Sequence, residues 1–399
     1  ARVYFDADAY AMILGSLAKN GAFRRDGEDT GAVELGYTHC SGPGLFNEIA
    51  QEMADDILEI NNSSAQLLCN AFIEGFGINR EPIPDESDLE LNNVQAHADE
   101  IVADRVQVDE KTGICPRTGA KLELFQLNSI QRKEVLDSLI TMAKEEYISF
   151  SNKKKRNKNH VFDDDMPVRE LKNFVEWMEE REGEPFTAIV DGANVGYFGY
   201  PDFHYSNIEQ VVRELESRNE RPVVVIPTKY VRDVFFASGA RRMQKITERD
   251  WQVIDDLRKD NIFYEVPIAC LDDYYWMIAA VVNQTKAESP VDLTVSVENE
   301  EGRFPGARPI LVTVDKMRDH KLELMAPRLF RRFYSCHIVN YFIPPHNESE
   351  WEPRPTTLFP ADIFSREIQG NKAPDDDSLV WHIPVTEWGE HERLSIRIP

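Results

Sequence analysis

The stretch FTAIVDGANVG, Phe186 to Gly196, decides the fold. Five residues suited to a buried strand run without polar alternation, meet an acid, and pass at once into a turn bounded by Gly192 and Gly196. An unbroken apolar strand belongs in a sheet buried on both faces. The same grammar recurs in PVVVIP (Pro222 to Pro227), IFYEV (Ile262 to Val266), PILVTV (Pro309 to Val314) and IVNYFI (Ile338 to Ile343). Helical runs lie between these strands, at Ile208 to Ser217, Asp250 to Lys259, Asp273 to Val282 and Lys321 to Phe330. Strands alternating with helices predict an α/β domain with a parallel sheet. Asn283 to Arg308 interrupts the alternation; acidic and poor in core residues, it reads as a surface insertion.

Working toward the N-terminus, Val168 to Arg181 is helical, and Ser151 to Asp165 is a basic run leading into Asp163, Asp164 and Asp165, read as a flexible connector. Leu127 to Tyr147 is a helix whose broad stripe is Ile130, Val135, Leu136, Leu139, Ile140 and Ala143. Pro82 to Asp99, acidic and rich in breakers, reads as a linker or exposed loop. The first hundred residues read as helical hairpins, with stripes at Tyr10, Ile13, Leu14 and Leu17, at Phe46, Ile49, Met53 and Ile57, and at Leu67, Leu68, Ala71 and Phe72. Asn20-Gly21 stops the first helix, and Gly75 and Gly77 stop the third. Ala9–Gly21 and Ala65–Gly77 are weakly self-similar, and a helix-pair repeat of roughly 35 residues fits if Phe23 to Gly44 is an insertion. Beyond Pro344 the chain is rich in proline and turns, with short strands expected at Ser378 to Val385 and Leu394 to Ile398.

With 399 residues the chain has room for two or three domains. No apolar run approaches the length of a membrane span, so no membrane partner is expected. A net charge of −25 argues against nucleic-acid binding by the surface as a whole. Local clusters would have to do that work: Lys153, Lys154, Lys155, Arg156 and Lys158; Arg241, Arg242 and Lys245; Lys316, Arg318 and Lys321; Arg328, Arg331 and Arg332. Each is equally open to being a solvated face. Five scattered cysteines fit a reducing compartment better than a disulfide framework. Ala1 reads as a processing or truncation boundary, ahead of which a targeting segment would leave no trace.

In open parallel sheets ligands bind beyond the carboxyl ends of the strands. Asp191 directly follows the first strand, Asp315 the fourth, and Asp272 and Asp273 stand just past the third, where a helix begins. Any one of them can be a simple cap. Four carboxylates converging on one sheet edge would repel one another unless a divalent cation neutralised them, and an oxygen-only set points to Mg2+, with Mn2+ as a substitute, over zinc. Asn194 can orient a water or a phosphate beside them.

VDGANVGYFG, LDDYYWMIAAV and VTVDKMRDH, in this order, resemble the three motifs of the NYN nuclease domain of protein-only RNase P. NFVEWMEEREGEPFTAIVDGANVG and WHIPV match the same family, and LFNEIAQEMADDILEINNSSAQLLCNAFIEGFG resembles its pentatricopeptide repeats. The resemblance covers essentially the whole chain. It implies an α/β NYN (PIN-like) nuclease domain at 168–343, pentatricopeptide-like helices at 1–103, and a small central α+β domain from 104–167 and 344–399. It also implies hydrolytic removal of the 5′ leader from precursor tRNA by a single protein without an RNA subunit. The family's four catalytic, magnesium-holding aspartates correspond to Asp191, Asp272, Asp273 and Asp315, with Asn194, Arg318, Asp319 and His320 expected to orient them or touch substrate. A nuclease of the same fold acting on other structured RNAs, or a non-catalytic pentatricopeptide RNA-binding protein, are the alternative readings.

The chain departs from the family in three places. Ile268, Ala269, Cys270 and Leu271 stand where the family has Gly-Ser-Asn before the paired aspartates, and the loop Asn283 to Arg308 is longer. Of the zinc ligands that the resemblance implies, Cys115 and His382 remain, while Thr118 and Ser395 occupy the other two positions. Two ligands do not make a structural zinc site, so a domain that folds without zinc is expected. The basic run from Lys153 favours the nucleus as location, with the mitochondrion as alternative.

Overall fold

The computed structural model describes residues 5–84, 87–155, 163–181, 183–268, 270–282, 284, 293–296, 299, 303–315, 327–344, 355–374 and 378–399. In chain order the elements are α1 (Ala7–Lys19), α2 (Gly42–Asp56), α3 (Asn62–Phe76), β1 (Val102–Gln107), α4 (Ser129–Lys155), α5 (Met166–Glu180), β2 (Ala188–Asp191), α6 (Gly192–Gly196) and α7 (Tyr205–Ser217). Then come β3 (Pro222–Pro227), β4 (Val234–Ala237), β5 (Arg242–Lys245), α8 (Glu248–Lys259), β6 (Phe263–Val266), α9 (Asp272–Val281), β7 (Ile310–Val312), α10 (Pro327–His337), β8 (Ile338–Phe342), β9 (Thr357–Phe359), β10 (Gln369–Lys372), β11 (Leu379–Pro384) and β12 (Glu392–Arg397). The chain divides into two compact units, 1–125 with 362–399, and 126–361. The three-part division expected from the sequence therefore differs: α1 to α3 and the antiparallel strands form one unit, and α4 belongs with the parallel sheet.

In the first unit, α1 begins at Asp6, whose carboxylate accepts the Ala9 amide at 2.9 Å, and α3 at Asn61, whose side chain accepts the Ser64 amide at 2.8 Å. Gly75 lies inside α3 instead of stopping it. A Cβ there would fall 1.9 Å from the Ala18 carbonyl oxygen, so the close α1–α3 approach requires glycine. Strands β1, β12, β11 and β10, in that order, form an antiparallel sheet. Trp381, Ile383, Leu394 and Ile396 from one face join Leu14, Phe46, Met53, Leu68 and Phe72 in a single core. Pro82 to Asp99 is not a free linker: Leu89 and Ala96 are buried, and the Asn92 amide donates to the Arg105 carbonyl at 2.8 Å.

The second unit carries the expected parallel sheet, in the order β6-β3-β2-β7-β8, with β9 added antiparallel at the β8 edge. Helices α4, α5, α9 and α10 bury their apolar stripes on one face, through Val135, Leu139, Phe174, Trp276 and Phe333. Helices α7 and α8 cover the other, through Ile208, Val211, Leu215, Val253 and Ile254. α8 starts with a capping box between Thr247 and Asp250. Three sequence expectations are corrected. The basic run begins inside α4, which continues to Lys155. A hairpin, β4–β5, stands where no strand was read. The loop from Asn283 to Arg308 is partly internal: Gln284 bonds both backbone groups of Phe186, and buried Arg308 pairs with buried Glu220 at 2.6 Å. Arg156, Lys158 and 316–326, with Arg318, Asp319 and His320, lie outside the described residues. Among the described residues no helix is long and apolar enough to cross a membrane.

Candidate active site at the carboxyl edge of the parallel sheet

Successive parallel strands place β2 at the centre, with β3 and β6 to one side and β7 and β8 to the other. The chain's winding reverses between β2 and β7, and such a switch point opens a crevice at the carboxyl ends. Asp191 is the last residue of β2 and also caps α6, its carboxylate accepting the Asn194 amide at 3.0 Å. Gly192 lets α6 sit tightly on β3, since a Cβ would fall 2.9 Å from the Val225 carbonyl oxygen.

Across the crevice, just past β7, Thr313 donates its hydroxyl to the other Asp191 oxygen at 2.9 Å and accepts the Asp315 amide at 3.1 Å. The Asn194 side-chain oxygen Oδ1 accepts both the Val314 amide at 3.0 Å and the Tyr341 hydroxyl at 2.8 Å. Asn194 therefore ties the ends of β2, β7 and β8 together; its oxygen is engaged with protein instead of being aimed at a phosphate. Thr313 and Tyr341 were not identified from sequence. A threonine or tyrosine inside a strand reads as ordinary strand filler, and only the bond partners reveal the role.

Asp272 and Asp273 open α9, where the helix dipole favours negative charge. Burial, then the charge of Asp272, and further that of Asp273 push the Asp191 carboxyl well above the usual carboxylate range, against the lowering effect of the Asn194 amide and the Thr313 hydroxyl. Asp191, Asp272 and Asp273 thus share one electrostatic neighbourhood, and Asp315 is joined to it through Thr313. The donor set is oxygen only, the chemistry that magnesium or manganese takes, and a buried carboxylate crowded by like charges is satisfied by a counter-cation. Among the described residues, however, no three of His, Cys, Asp and Glu are drawn together tightly enough to form a metal-holding group. The residue types and placement fit a divalent cation; closure of the carboxylates around one point is not part of this arrangement. Just before the paired acids, Cys270 and Leu271 line an apolar cleft with Ala143, Tyr147, Leu171 and Tyr274.

The expected zinc remnant lies in the first unit. Ser395 and His382 are cross-strand partners, in register with Asp104 on β1 and Gln369 on β10. The segment 113–123 is bonded to this row at both ends, through Arg117 to Asp104 at 2.9 Å and through the Glu123 amide to Gln369 at 2.9 Å. Cys115, Thr118, His382 and Ser395 are all buried. Thr118 Oγ1, His382 Nε2 and Ser395 Oγ have no hydrogen-bond partner. Burial, then the positive charge of Arg393, holds the His382 ring down to about 3, so it is neutral. Hydroxyls do not replace thiolates as zinc ligands, and this set does not fit a structural zinc.

A sheet with this winding and acids at its switch point defines an α/β protein with an acidic carboxyl edge. No protein-family model matches the chain. It is 24% identical over 290 residues to Proteinaceous RNase P 3 of Arabidopsis thaliana, covering 71% of this chain and 40% of that protein. It is 26% identical over 285 residues to Proteinaceous RNase P 2 of the same plant, covering 69% and 42%. The chain thus spans about two fifths of the length of these curated relatives. The crystal structure of nuclear proteinaceous RNase P 2 (PRORP2) from A. thaliana matches with a TM-score of 0.58 and 18% identity, over 98% of this chain and 67% of that one. The chain is thus similar in sequence to proteins named Proteinaceous RNase P and shares the fold of the crystallised PRORP2.

Proposed function

We propose that the chain is a metal-dependent endoribonuclease that removes the 5′ leader of precursor tRNA, acting as a single protein without an RNA subunit. The observation that carries the reading is the buried Asp191, braced by Thr313 and the Asn194 amide and crowded by Asp272 and Asp273 at the switch point of the sheet. Its relatives named Proteinaceous RNase P support precursor tRNA as the substrate over other structured RNAs. Intact acids at all four positions weigh against a silent RNA-binding protein.

A divalent cation, magnesium or manganese, would be held by Asp191, Asp272, Asp273 and Asp315; when bound it makes a water nucleophilic at neutral pH and offsets charge on the phosphate. The protein's own part is positional. Thr313 and the Asn194 amide fix both Asp191 oxygens, and the first turn of α9 presents the paired acids. Asn194 and Tyr341 lock the strand ends, so the carboxylates stand on rigid elements. The expected products are a mature tRNA with a 5′-phosphate and a leader with a 3′-hydroxyl.

The helices α1 to α3 are read as a pentatricopeptide-like RNA-binding region and residues 168–343 as the NYN-type nuclease. Arg318, Asp319 and His320 are proposed to orient the acids or touch RNA. The nucleus is the proposed location; the relatives include both a nuclear form and one named chloroplastic/mitochondrial. Cleavage of a precursor tRNA transcript tests the reading. Wild type should release the leader in magnesium, and Asp272→Ala/Asp273→Ala should bind the transcript nearly as well but not cut it. Wild-type rates in the double variant would overturn it.

A further inference from the structure

The hairpin β4–β5 combines exposed positive charge with an exposed apolar face. The segment Lys229 to Lys245 carries Lys229, Arg232, Arg241, Arg242 and Lys245 against the single acid Asp233, in a chain of net charge −25. Its inner face is pinned. Phe235 packs edge-on against Phe203 and Tyr230, with ring centroids 5.8 and 5.3 Å apart. Gln244 accepts the Phe203 amide at 2.9 Å and donates to its carbonyl at 2.6 Å, and Arg242 pairs with Asp202 at 2.6 Å.

The outer face is apolar and exposed. Phe236, 56% exposed, is the cross-strand partner of Met243, 61% exposed; Val234 is the partner of Lys245. A rigidly held hairpin that leaves an aromatic ring, a methionine and a valine in water, rimmed by cations, has the marks of a contact surface. Its root is close to the acidic edge. Asp191 at the end of β2 pairs in register with Val225 on β3, and the chain runs from the carboxyl end of β3 at Pro227 into the hairpin at Val234.

We propose that the β4–β5 hairpin is an RNA-binding arm beside the acidic edge, in which Phe236, backed by Met243, stacks on an unpaired base while Arg232, Arg241 and Lys245 take the neighbouring phosphates. This rests on the reading of the chain as an RNA-cleaving protein. Cations flanking an exposed ring are how single-stranded nucleic acid is held without reading its sequence, because every base has a π-face and every linkage a negative charge. In a chain of net negative charge, a local positive, apolar feature is where RNA is attracted.

The test is binding of a precursor tRNA transcript to the full chain, with calcium in place of magnesium, over a series of salt concentrations. Phe236→Ser should weaken binding by about five- to hundredfold, the size expected for one stacked base. Arg232→Gln/Lys245→Gln should weaken it and flatten the dependence of log affinity on log salt by about 0.7 to 0.9 for each phosphate no longer neutralised. Both changes point outward, so melting temperature should stay at the wild-type value, and either variant suffices if the other misfolds. Wild-type affinity and salt slope in both variants would overturn the arm while leaving the nuclease reading intact. Wild type that binds but never cleaves would sink the nuclease reading and still let the affinities decide the arm. Wild type that binds no precursor tRNA would overturn both.

Discussion

The two polar clusters of this molecule differ in how their atoms are satisfied. At the carboxyl edge of the parallel sheet, both Asp191 oxygens, the Thr313 hydroxyl and the Asn194 oxygen have protein partners on neighbouring strand ends. In the antiparallel sheet, Thr118 Oγ1, His382 Nε2 and Ser395 Oγ are equally buried and have none. A cluster whose members brace one another is held in working order. A buried cluster whose polar atoms lack partners is carried by the packing around it, here Val380 with Ala120 and Ala373. The difference sets the acidic edge, proposed above as the functional centre, apart from the His382 row, whose polar atoms nothing braces.

The largest effect expected from this contrast is a gain. Thr118→Cys/Ser395→Cys would place three cysteines and His382 at the four positions, and structural zinc in such sets contributes on the order of 10 kcal/mol. Elemental analysis after dialysis against chelator should find one zinc per chain in this variant and none in wild type. Zinc retained by wild type would contradict the conclusion that the row does not fit a structural zinc.

The two clusters should also answer acid with opposite signs. The His382 ring is held below its unfolded value of 6.5, down to about 3, so the unfolded chain binds the extra proton, and stability is lost as pH falls through that window. The slope is at most about 1.4 kcal/mol per pH unit. Asp191 is raised, so the metal-free folded state binds the extra proton and gains stability as pH falls through the raised value. Urea midpoints between pH 7 and 4, on the order of one point per half unit, should fall less steeply in His382→Gln than in wild type and more steeply in metal-free Asp191→Asn. The reverse order would break the comparison.

A smaller contrast concerns single hydroxyls. Thr313→Val removes the donor from a buried carboxylate and should cost about 1–3 kcal/mol. Ser395→Ala removes a hydroxyl that bonds nothing, so the relief of its desolvation should nearly cancel the small void left behind. Equal losses in denaturant titrations would show that the two hydroxyls are not in different states.

The sheet was legible because its strands are short, mostly apolar runs alternating with helical stripes, the pattern of a parallel sheet covered on both faces. Asp191, Asp272, Asp273 and Asp315 were legible for the same reason: strand ends and a helix start locate them. The hairpin was not, because Arg242 to Lys245 has one apolar residue and its outer face is exposed. Pro82 to Asp99, read as a linker or exposed loop, is largely an exposed loop; its anchoring was not legible because it includes backbone bonds to Arg105 and Arg117, which leave no periodicity in the side chains. Gly75 looked like a helix stop because the reason for it, contact with Ala18, lies on another helix.

The most direct test of the account is cleavage of a 5′-extended precursor tRNA by wild type and by Asp191→Asn across a magnesium titration, with melting curves to confirm that both chains are folded. The account predicts magnesium-dependent release of the leader by wild type and, in a folded Asp191→Asn, a loss on the order of a thousandfold or more that added magnesium does not restore. Leader release by Asp191→Asn at the wild-type rate, or release by wild type that is indifferent to magnesium and to chelator, would contradict it.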